Sequence, residues 1–404
     1  MDEQNTLRTF FHDLQNRTCP SASDADSLQE RYSDYLRDES RLTGDPVDTI
    51  YFPESTADVS AAFQEAWAND ASITVSGGRT GIVGGAVPLE SSALVALDKM
   101  KSTPRVYYDT EHECWAVHVT AGTTLEELND ILEAGDYETD EQPPEDLMFP
   151  VDPTEQTATL GGMISTNASG ARTLYYGPMR IWVLGLTVVL SDGRIVTLAR
   201  GKQKASGTTF FIEDPDGSTS EVRFTPVPQP TTKHSSGYFL HEHMDLLELF
   251  IGSEGTLGVV TEAELRLCPP HRDVLYLTLF LNEGMLLPII EEVKKMTGSS
   301  GAVQQAGVAF GHRQQEHTEK GSGSQSDTGA TRDSSSPHGT SNLVALEYMD
   351  THSVDLLRSY REEMGESSHV PPIPDTCQEV LYIELGAKEG ETLDTVYEEV
   401  DEVL

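Results

Sequence analysis

Hydrophobic positions in this chain change period several times, and each change marks an element. VDTIYF at 47–52 reads as a strand. From Pro53 and Ser55 onward, Val59, Ala62, Phe63, Ala66 and Trp67 recur at the i, i+3, i+4, i+7 spacing of one helix face. A short strand, 73–75, runs straight into SGGRTGIVGGA, and ALVALD at 93–98 follows as another. CWAVHVTA at 114–121 alternates like a half-buried strand. TTLEELNDILEAG at 123–135 opens on a Thr124/Glu127 capping box and stops at a glycine. WVLGLTVVL (182–190) and RIVTL (194–198) flank Ser191-Asp192-Gly193, a hairpin signal, and GVVTEAELRL (258–267) reads as a strand.

Both ends and two interior stretches differ from this block. Residues 1–40 read as polar helix, amphipathic around Leu7, Phe10, Phe11 and Leu14, so 1–46 is expected as an N-terminal helical segment. Residues 200–232 are polar and irregular, the pattern of an insertion. From His271 strands are expected at 274–281, 343–350 and 379–387, with helices at 284–297, 353–364 and 391–404. The Ser-, Gly- and Gln-rich stretch 311–342 cannot supply a core and is expected to be a disordered loop. These changes divide the chain into 1–46, 47–270 and 271–404, with α+β character in the last two.

Composition narrows the partners. The 404 residues include 67 acidic and 27 basic side chains, a net charge of −40. Such a surface repels phosphate backbones and anionic lipid, which excludes nucleic acid as a general partner. Because the acid is spread along the chain, it also suggests adaptation to high salt. The four cysteines, Cys19, Cys114, Cys268 and Cys377, have no paired spacing, which fits a reducing cytoplasm and no metal cluster. The first residues lack the apolar core of a signal peptide, and no apolar run reaches the roughly 20 residues that span a bilayer.

An anionic ligand on such a protein needs local positive potential, and glycine-rich loops supply it through backbone N–H groups. Val75-Ser76-Gly77-Gly78-Arg79-Thr80-Gly81, followed by Gly84 and Gly85, comes directly after a strand. A tight turn is the bland alternative for this loop taken alone. A second cluster is Thr157-Ala158-Thr159-Leu160-Gly161-Gly162, then Asn167-Ala168-Ser169-Gly170 and Gly177. A third is Gly252-Ser253-Glu254-Gly255-Thr256-Leu257-Gly258-Val259-Val260. No G-x-G-x-x-G or Walker motif occurs, which argues against nicotinamide and P-loop chemistry. His241 and His243 have the look of a ligand pair, but an i, i+2 spacing on a helix would point the rings apart, and no metal is expected.

These three segments resemble those of the PCMH-type FAD-binding superfamily typified by vanillyl-alcohol oxidase and p-cresol methylhydroxylase. Within it they are similar to the branch of glycolate oxidase FAD subunits, D-lactate dehydrogenases, D-2-hydroxyglutarate dehydrogenases and alkyldihydroxyacetonephosphate synthases. GSEGTLGVVTEA and GGMISTNASG followed by YG carry most of the likeness. It runs from about Tyr32 to Pro270 and continues more weakly to about Gly386. The resemblance implies an α+β fold, a two-subdomain FAD-binding domain over 47–270, then a partial ferredoxin-like cap. It implies that Ser76 to Gly81 wrap the pyrophosphate and that Pro153 to Thr159 line the flavin. Asn167 to Gly170 would lie near the isoalloxazine and ribityl chain, and Glu254 to Val260 would enclose the cofactor, with Glu254 bracing its loop. Where members with covalent flavin carry a histidine, this chain has Arg79, so non-covalent FAD is expected. Ser235 stands where K-x-N-x-G-Y members have asparagine.

The same resemblance implies an FAD-dependent oxidoreductase acting on a small 2-hydroxy acid such as glycolate or D-lactate. Electrons would pass to a quinone, an electron-transfer protein or oxygen. The arginine and histidine segments that handle substrate in the branch, including H-x-G-D-G-N-x-H, do not occur in these residues. The chain is therefore read as truncated or as one of two polypeptides, and no catalytic base is named. A non-catalytic FAD-binding subunit that needs a partner chain is the competing reading, and a transferase that uses flavin without net redox change is a third.

Overall fold

The computed structural model describes residues 7–8, 18–24, 28, 30–90, 92–213, 218–230, 234–297 and 340–403. It divides into two compact units, one of 1–170 with 178–270 and one of 171–177 with 271–404. In chain order the first unit opens with β1 (Leu7–Arg8), β2 (Ser21–Ala22), β3 (Thr49–Tyr51), α1 (Thr56–Ala68), β4 (Ile73–Ser76) and β5 (Ala93–Ala96). It continues with β6 (Arg105–Asp109), β7 (Cys114–Thr120), α2 (Leu125–Ala134) and α3 (Leu160–Ser165). After α4 (Thr173–Tyr176), which belongs to the second unit, come β8 (Val183–Val189), β9 (Ile195–Ala199), β10 (Thr209–Glu213), β11 (Thr219–Arg223) and β12 (Val259–Arg266).

A four-stranded sheet has the order β2-β3-β5-β4, with β5 parallel to both neighbours. Every residue of β5 is buried, as the uninterrupted apolar run Ala93–Ala96 requires of a strand covered on both faces. One face meets Val59, Ala62 and Phe63 of α1, and the other packs on Leu28, Val47 and Phe52. The α1 helix starts where Ser55 accepts a hydrogen bond from the Asp58 N–H. Trp67, expected on its apolar face, is instead 65% exposed, while Val59, Ala62, Phe63 and Ala66 of that face are buried.

A five-stranded antiparallel sheet has the order β6-β7-β12-β8-β9. The hairpin read at Ser191-Asp192-Gly193 joins β8 to β9, with Gly193 at φ 83°. The α2 helix shows its capping box in full: Thr124 Oγ1 accepts from the Glu127 N–H (3.2 Å), and Glu127 returns to the Thr124 N–H (3.0 Å).

Two expectations are corrected in this unit. The helix expected over 1–46 is not continuous: Leu7–Arg8 and Ser21–Ala22 are extended, and Ser33–Leu36 forms a single 3-10 turn. Phe10, Phe11 and Leu14 lie outside the described residues. The stretch 200–232 is not irregular throughout, because β10 and β11 pair in it as an antiparallel hairpin. Phe210 and Ile212 supply its small core with Met244, while β11 is exposed along its whole length, which hid it among polar residues.

In the second unit β13 (Val274–Leu281), α5 (Leu286–Thr297), β14 (Ser341–Met349), α6 (Thr351–Met364), β15 (Glu379–Ala387) and α7 (Leu393–Val403) follow α4. Its antiparallel sheet has the order β13-β15-β14, and Leu381, Ile383 and Leu385 of the middle strand pack with Val293 of α5 and Val396 of α7. Most of the loop expected at 311–342 lies outside the described residues, and its end, from Ser341, opens β14.

One polar row crosses the five-stranded sheet. His118 on β7 stands opposite Arg105 on β6 and Glu264 on β12. Its Nδ1 is 2.8 Å from Glu264 Oε1 and its Nε2 is 3.9 Å from Glu262 Oε2. Tyr107 donates to Glu264 Oε2 (2.6 Å), and Thr56, at the start of α1, donates to Glu262 Oε1 (2.6 Å). The hydrogen bond to Glu264 raises the imidazole above its ordinary value of 6.5, outweighing burial. With the folded-state value the higher, the stabilisation is complete below the unfolded value and is lost as pH rises through the folded one. Wild type should therefore lose more thermal stability than His118→Gln between about pH 6 and about pH 8. Parallel melting curves across that range would show that the clamp contributes nothing.

Candidate functional site

The three glycine-rich segments meet in unit 1, and each touches the other two. Segment one follows β4. A Cβ on Gly77 would fall 2.5 Å from Thr159 Oγ1, and one on Gly78 would fall 2.7 Å from the Thr157 carbonyl oxygen. Both glycines are thus required by the second segment. Gly78 N–H donates to Thr159 Oγ1 (3.2 Å), so this amide of the first loop is already engaged. By contrast, a Cβ on Gly81 or Gly85 would meet nothing within 4 Å.

Segment two is fastened mainly by backbone. Leu125 N–H donates to Ala158 O (3.0 Å), and Gly161 N–H donates to Ala121 O (3.0 Å) with no room for a side chain. Gly162 follows half-buried in α3, while Thr157 is exposed and donates from Oγ1 to Glu155 (2.7 Å). Asn167 is buried at φ 49°, its Oδ1 accepting from the Arg180 N–H (3.0 Å). Ala168 O accepts from Met179 N–H (2.9 Å), and Ser169 beside it is half-buried. A Cβ on Gly170 would overlap the Asp152 carbonyl at 1.6 Å and reach Pro153 N at 2.8 Å. Gly177 (φ 75°) belongs to the second unit, where it ends α4.

Segment three closes the ring. Gly252 N–H donates to Ile164 O (3.0 Å) and Glu254 N–H to Ser165 O (2.8 Å). A Cβ on Gly252 would stand 3.3 Å from Asn167 Cβ, and one on Gly255 4.0 Å from Val75 Cβ. Gly258 is pressed against Val188 and Val189, and Val259 and Val260 are buried as β12 begins. Glu254 ties its loop through its backbone, at φ 54°, while its side chain is exposed. Thr256 donates to Ser253 O (2.6 Å), its Oγ1 lies 2.7 Å from the Tyr238 hydroxyl, and Leu257 is half-buried.

Two further observations bear on a ligand. Ser76, wholly buried where β4 turns into the loop, has an Oγ with no hydrogen-bond partner among the described residues, an orphan that a ligand oxygen would satisfy. Arg79 adopts φ 58°, and its guanidinium stacks 4.3 Å from the Tyr35 ring centre while Nη1 donates to Gly77 O (3.2 Å). Burial, with the hydrogen bond to Asp98, pushes the Tyr35 hydroxyl up to about 12. These features fit a phosphate-bearing cofactor: a glycine loop open at Gly81 and Gly85, a free hydroxyl at its root and a guanidinium beside it.

Sequence reasoning passed over what holds this junction. Arg180 donates from Nη1 to Glu248 Oε2 (2.6 Å) and Glu248 O (2.7 Å), and from Nη2 to Ile251 O (2.5 Å). Arg200 reaches Glu248 Oε1 and donates to Val183 O and Arg180 O (2.7 Å each). Burial pushes the Glu248 carboxyl up, but the two guanidinium groups together outweigh it and hold it below the usual carboxylate range. The triad joins segment two, through Arg180, to segment three, through Ile251. Each residue is an ordinary charge in sequence, and no spacing along the chain marks the three as partners. His241 and His243, considered as a ligand pair, sit in a loop rather than a helix, where His243 Nδ1 accepts from the Gly207 N–H (3.1 Å). Among the described residues no group of three or more His, Cys, Asp or Glu is arranged to hold a metal ion.

A mixed α+β frame that brings three glycine segments to one junction is suited to a phosphate-bearing nucleotide. Residues 47–199 match the FAD binding domain family. A D-lactate dehydrogenase of Archaeoglobus fulgidus is 36% identical over 248 residues, 60% of this chain and 44% of that protein. A D-2-hydroxyglutarate dehydrogenase of Xanthomonas citri is 33% identical over 245 residues, 59% of this chain and 41% of that protein. The chain thus matches less than half the length of these relatives. A solved structure of an alkyldihydroxyacetonephosphate synthase shares the fold, with a TM-score of 0.53 at 15% identity over 95% of this chain and 55% of that one.

Gly78→Ala should destabilise unit 1 by about 1–3 kcal/mol, since the Thr157 backbone cannot move aside, and it should lower FAD retention. Glu248→Gln, which removes the carboxylate that buried Arg180 and half-buried Arg200 share, should cost about 3–5 kcal/mol in urea unfolding. Replacing Arg180, Glu248 and Arg200 together by Met should cost much less. Equal losses in the single and triple variants would refute the charge-compensation account.

Proposed function

We propose that the chain binds FAD non-covalently at the three-segment junction and serves the oxidation of a D-2-hydroxy acid, D-lactate or D-2-hydroxyglutarate. The convergence of Gly77-Gly78, Asn167–Gly170 and Gly252–Gly258 carries this reading. Its substrate side rests on the dehydrogenase relatives. In this reading the first segment takes the pyrophosphate: Ser76 Oγ, Thr80 and the backbone toward Gly81 offer donors, and Arg79 offsets charge. Pro153 and 157–159 line one side of the flavin, Asn167–Gly170 another, and Glu254–Val260 the third. When bound, FAD supplies the two-electron acceptor for the hydrogen on the hydroxyl-bearing carbon. The protein's own part is to exclude water with the buried backs of these loops and to hold their amides in place. No residue here is assigned as the base.

Arg79 supports non-covalent attachment, because a guanidinium already engaged with Tyr35 and Gly77 O is no nucleophile toward the ring. Domain limits of 47–270 and 271–404 fit the same scheme. The four cysteines, free of disulfides, are compatible with a reducing cytoplasm, and the net charge of −40 with a salt-rich one. No helix among the described residues is long and apolar enough to cross a membrane. Electrons would leave to a quinone, an electron-transfer protein or oxygen, and a second polypeptide could complete the substrate side.

Protein purified in molar salt should show the absorption bands of oxidised flavin, release all of the flavin on acid precipitation, and bleach with D-lactate or D-2-hydroxyglutarate but not with the L-enantiomers. A colourless protein that FAD cannot reconstitute would overturn the cofactor assignment. Flavin left on the precipitate would overturn the non-covalent one, and bands that no hydroxy acid bleaches would overturn the substrate.

A further inference from the structure

The backbone leaves unit 1 after Gly170, contributes Ala171–Gly177 to unit 2, and returns at Pro178. This seven-residue excursion interrupts the second glycine segment itself. Before it stand Asn167 to Gly170; after it, Met179 N–H donates to Ala168 O (2.9 Å) and Arg180 N–H to Asn167 Oδ1 (3.0 Å). The 167–170 loop is therefore the neck of a longer loop whose far end is held by unit 2.

That hold is specific. Arg172 Nε donates to Glu384 Oε2 (2.8 Å), and the Glu384 side chain, on the middle strand β15, is only 6% exposed. Tyr382 donates to the other oxygen, Oε1 (2.8 Å), so both oxygens are used. Beside the pair, the rings of Tyr175 and Tyr176 pack edge to face (4.8 Å), and His271 packs at a tilt against both, at 5.1 and 6.1 Å. His271 lies over Gly386, where a Cβ would fall 2.9 Å from its ring. A carboxylate buried in the middle of a sheet is costly unless paired, and here its cationic partner comes from the excursion.

We infer that Arg172 and Glu384 are positioning residues for the flavin loop: the ion pair holds Ala171–Gly177 and thereby sets the conformation of Asn167–Gly170. FAD affinity is then linked to the state of a unit that carries neither of the other two glycine segments, a coupling between two parts of one chain. This rests on the flavin reading above, so the test includes a readout that needs no flavin.

Hydrogen exchange of the 163–170 amides and FAD affinity, by flavin fluorescence, would be measured on the full chain. Variants are Glu384→Gln, Arg172→Met with Glu384→Met, Arg172→Lys, and Tyr348→Phe as a control on the same sheet. The double variant keeps bulk and removes both charges, so it guards against a misfolded unit. Faster exchange at 163–170 is expected in Glu384→Gln and in the double variant. About tenfold weaker FAD binding should accompany it, with partial recovery in Arg172→Lys and no change in Tyr348→Phe. Unchanged protection of 163–170 in the folded double variant would overturn the positioning role whatever the flavin result. Wild type that takes up no FAD, yet loses protection in the variants, would count against the flavin reading alone.

Discussion

The first unit depends on the close approach of three backbones that no side chain could tolerate. Gly77 and Gly78 lie against Thr159 and Thr157, Gly170 against Asp152, and Gly252, at positive φ, against Asn167. Backbone N–H groups help secure the junction, among them Gly78 to Thr159 Oγ1, Gly252 to Ile164 O and Glu254 to Ser165 O. The two sheets are the frame that brings these turns to one place: β4 delivers the first, α2 and α3 the second, and the start of β12 the third. Glycine's cost in chain entropy is accepted there because the geometry admits nothing larger.

The charge economy follows from that arrangement. With a net charge of −40, a cofactor phosphate cannot be held by a field of lysines, and the donors available at the junction are amides, a hydroxyl and one guanidinium. The two other arginines nearby, Arg180 and Arg200, share Glu248 as their carboxylate partner. Their work is to hold the backbone of the second and third segments together. The same division recurs in the second unit, where Arg172 engages buried Glu384. In both units, then, arginines serve to pair buried carboxylates.

Much of the frame was legible along the chain because its elements carry strong periodic signals. The strand 274–281 and the strand 379–387 fall where alternation put them, and the Thr124/Glu127 box and Gly135 bound α2 as read. The elements that escaped have weak signals for physical reasons. The strand β11 is exposed at every residue and so has no apolar period, β1 and β2 are two residues each, and β6 interleaves Tyr107 and Tyr108 with charged neighbours. Trp67 was misread because periodicity alone cannot tell which apolar positions of a helix face the core covers.

By itself the sequence determined which residues could make a glycine-lined, phosphate-tolerant loop and in what order three such loops come. Gly and capping residues act locally and are therefore readable from spacing alone. Only the tertiary structure decided which glycines serve the protein's own packing, as Gly77, Gly78 and Gly170 do, and which leave open space, as Gly81 and Gly85 do. It also decided that Arg180, Glu248 and Arg200 form one buried triad and that Arg172 meets Glu384 from 212 residues away. Ion pairing between distant residues leaves no period or spacing in a chain, since it exists only once the strands that carry the partners are side by side.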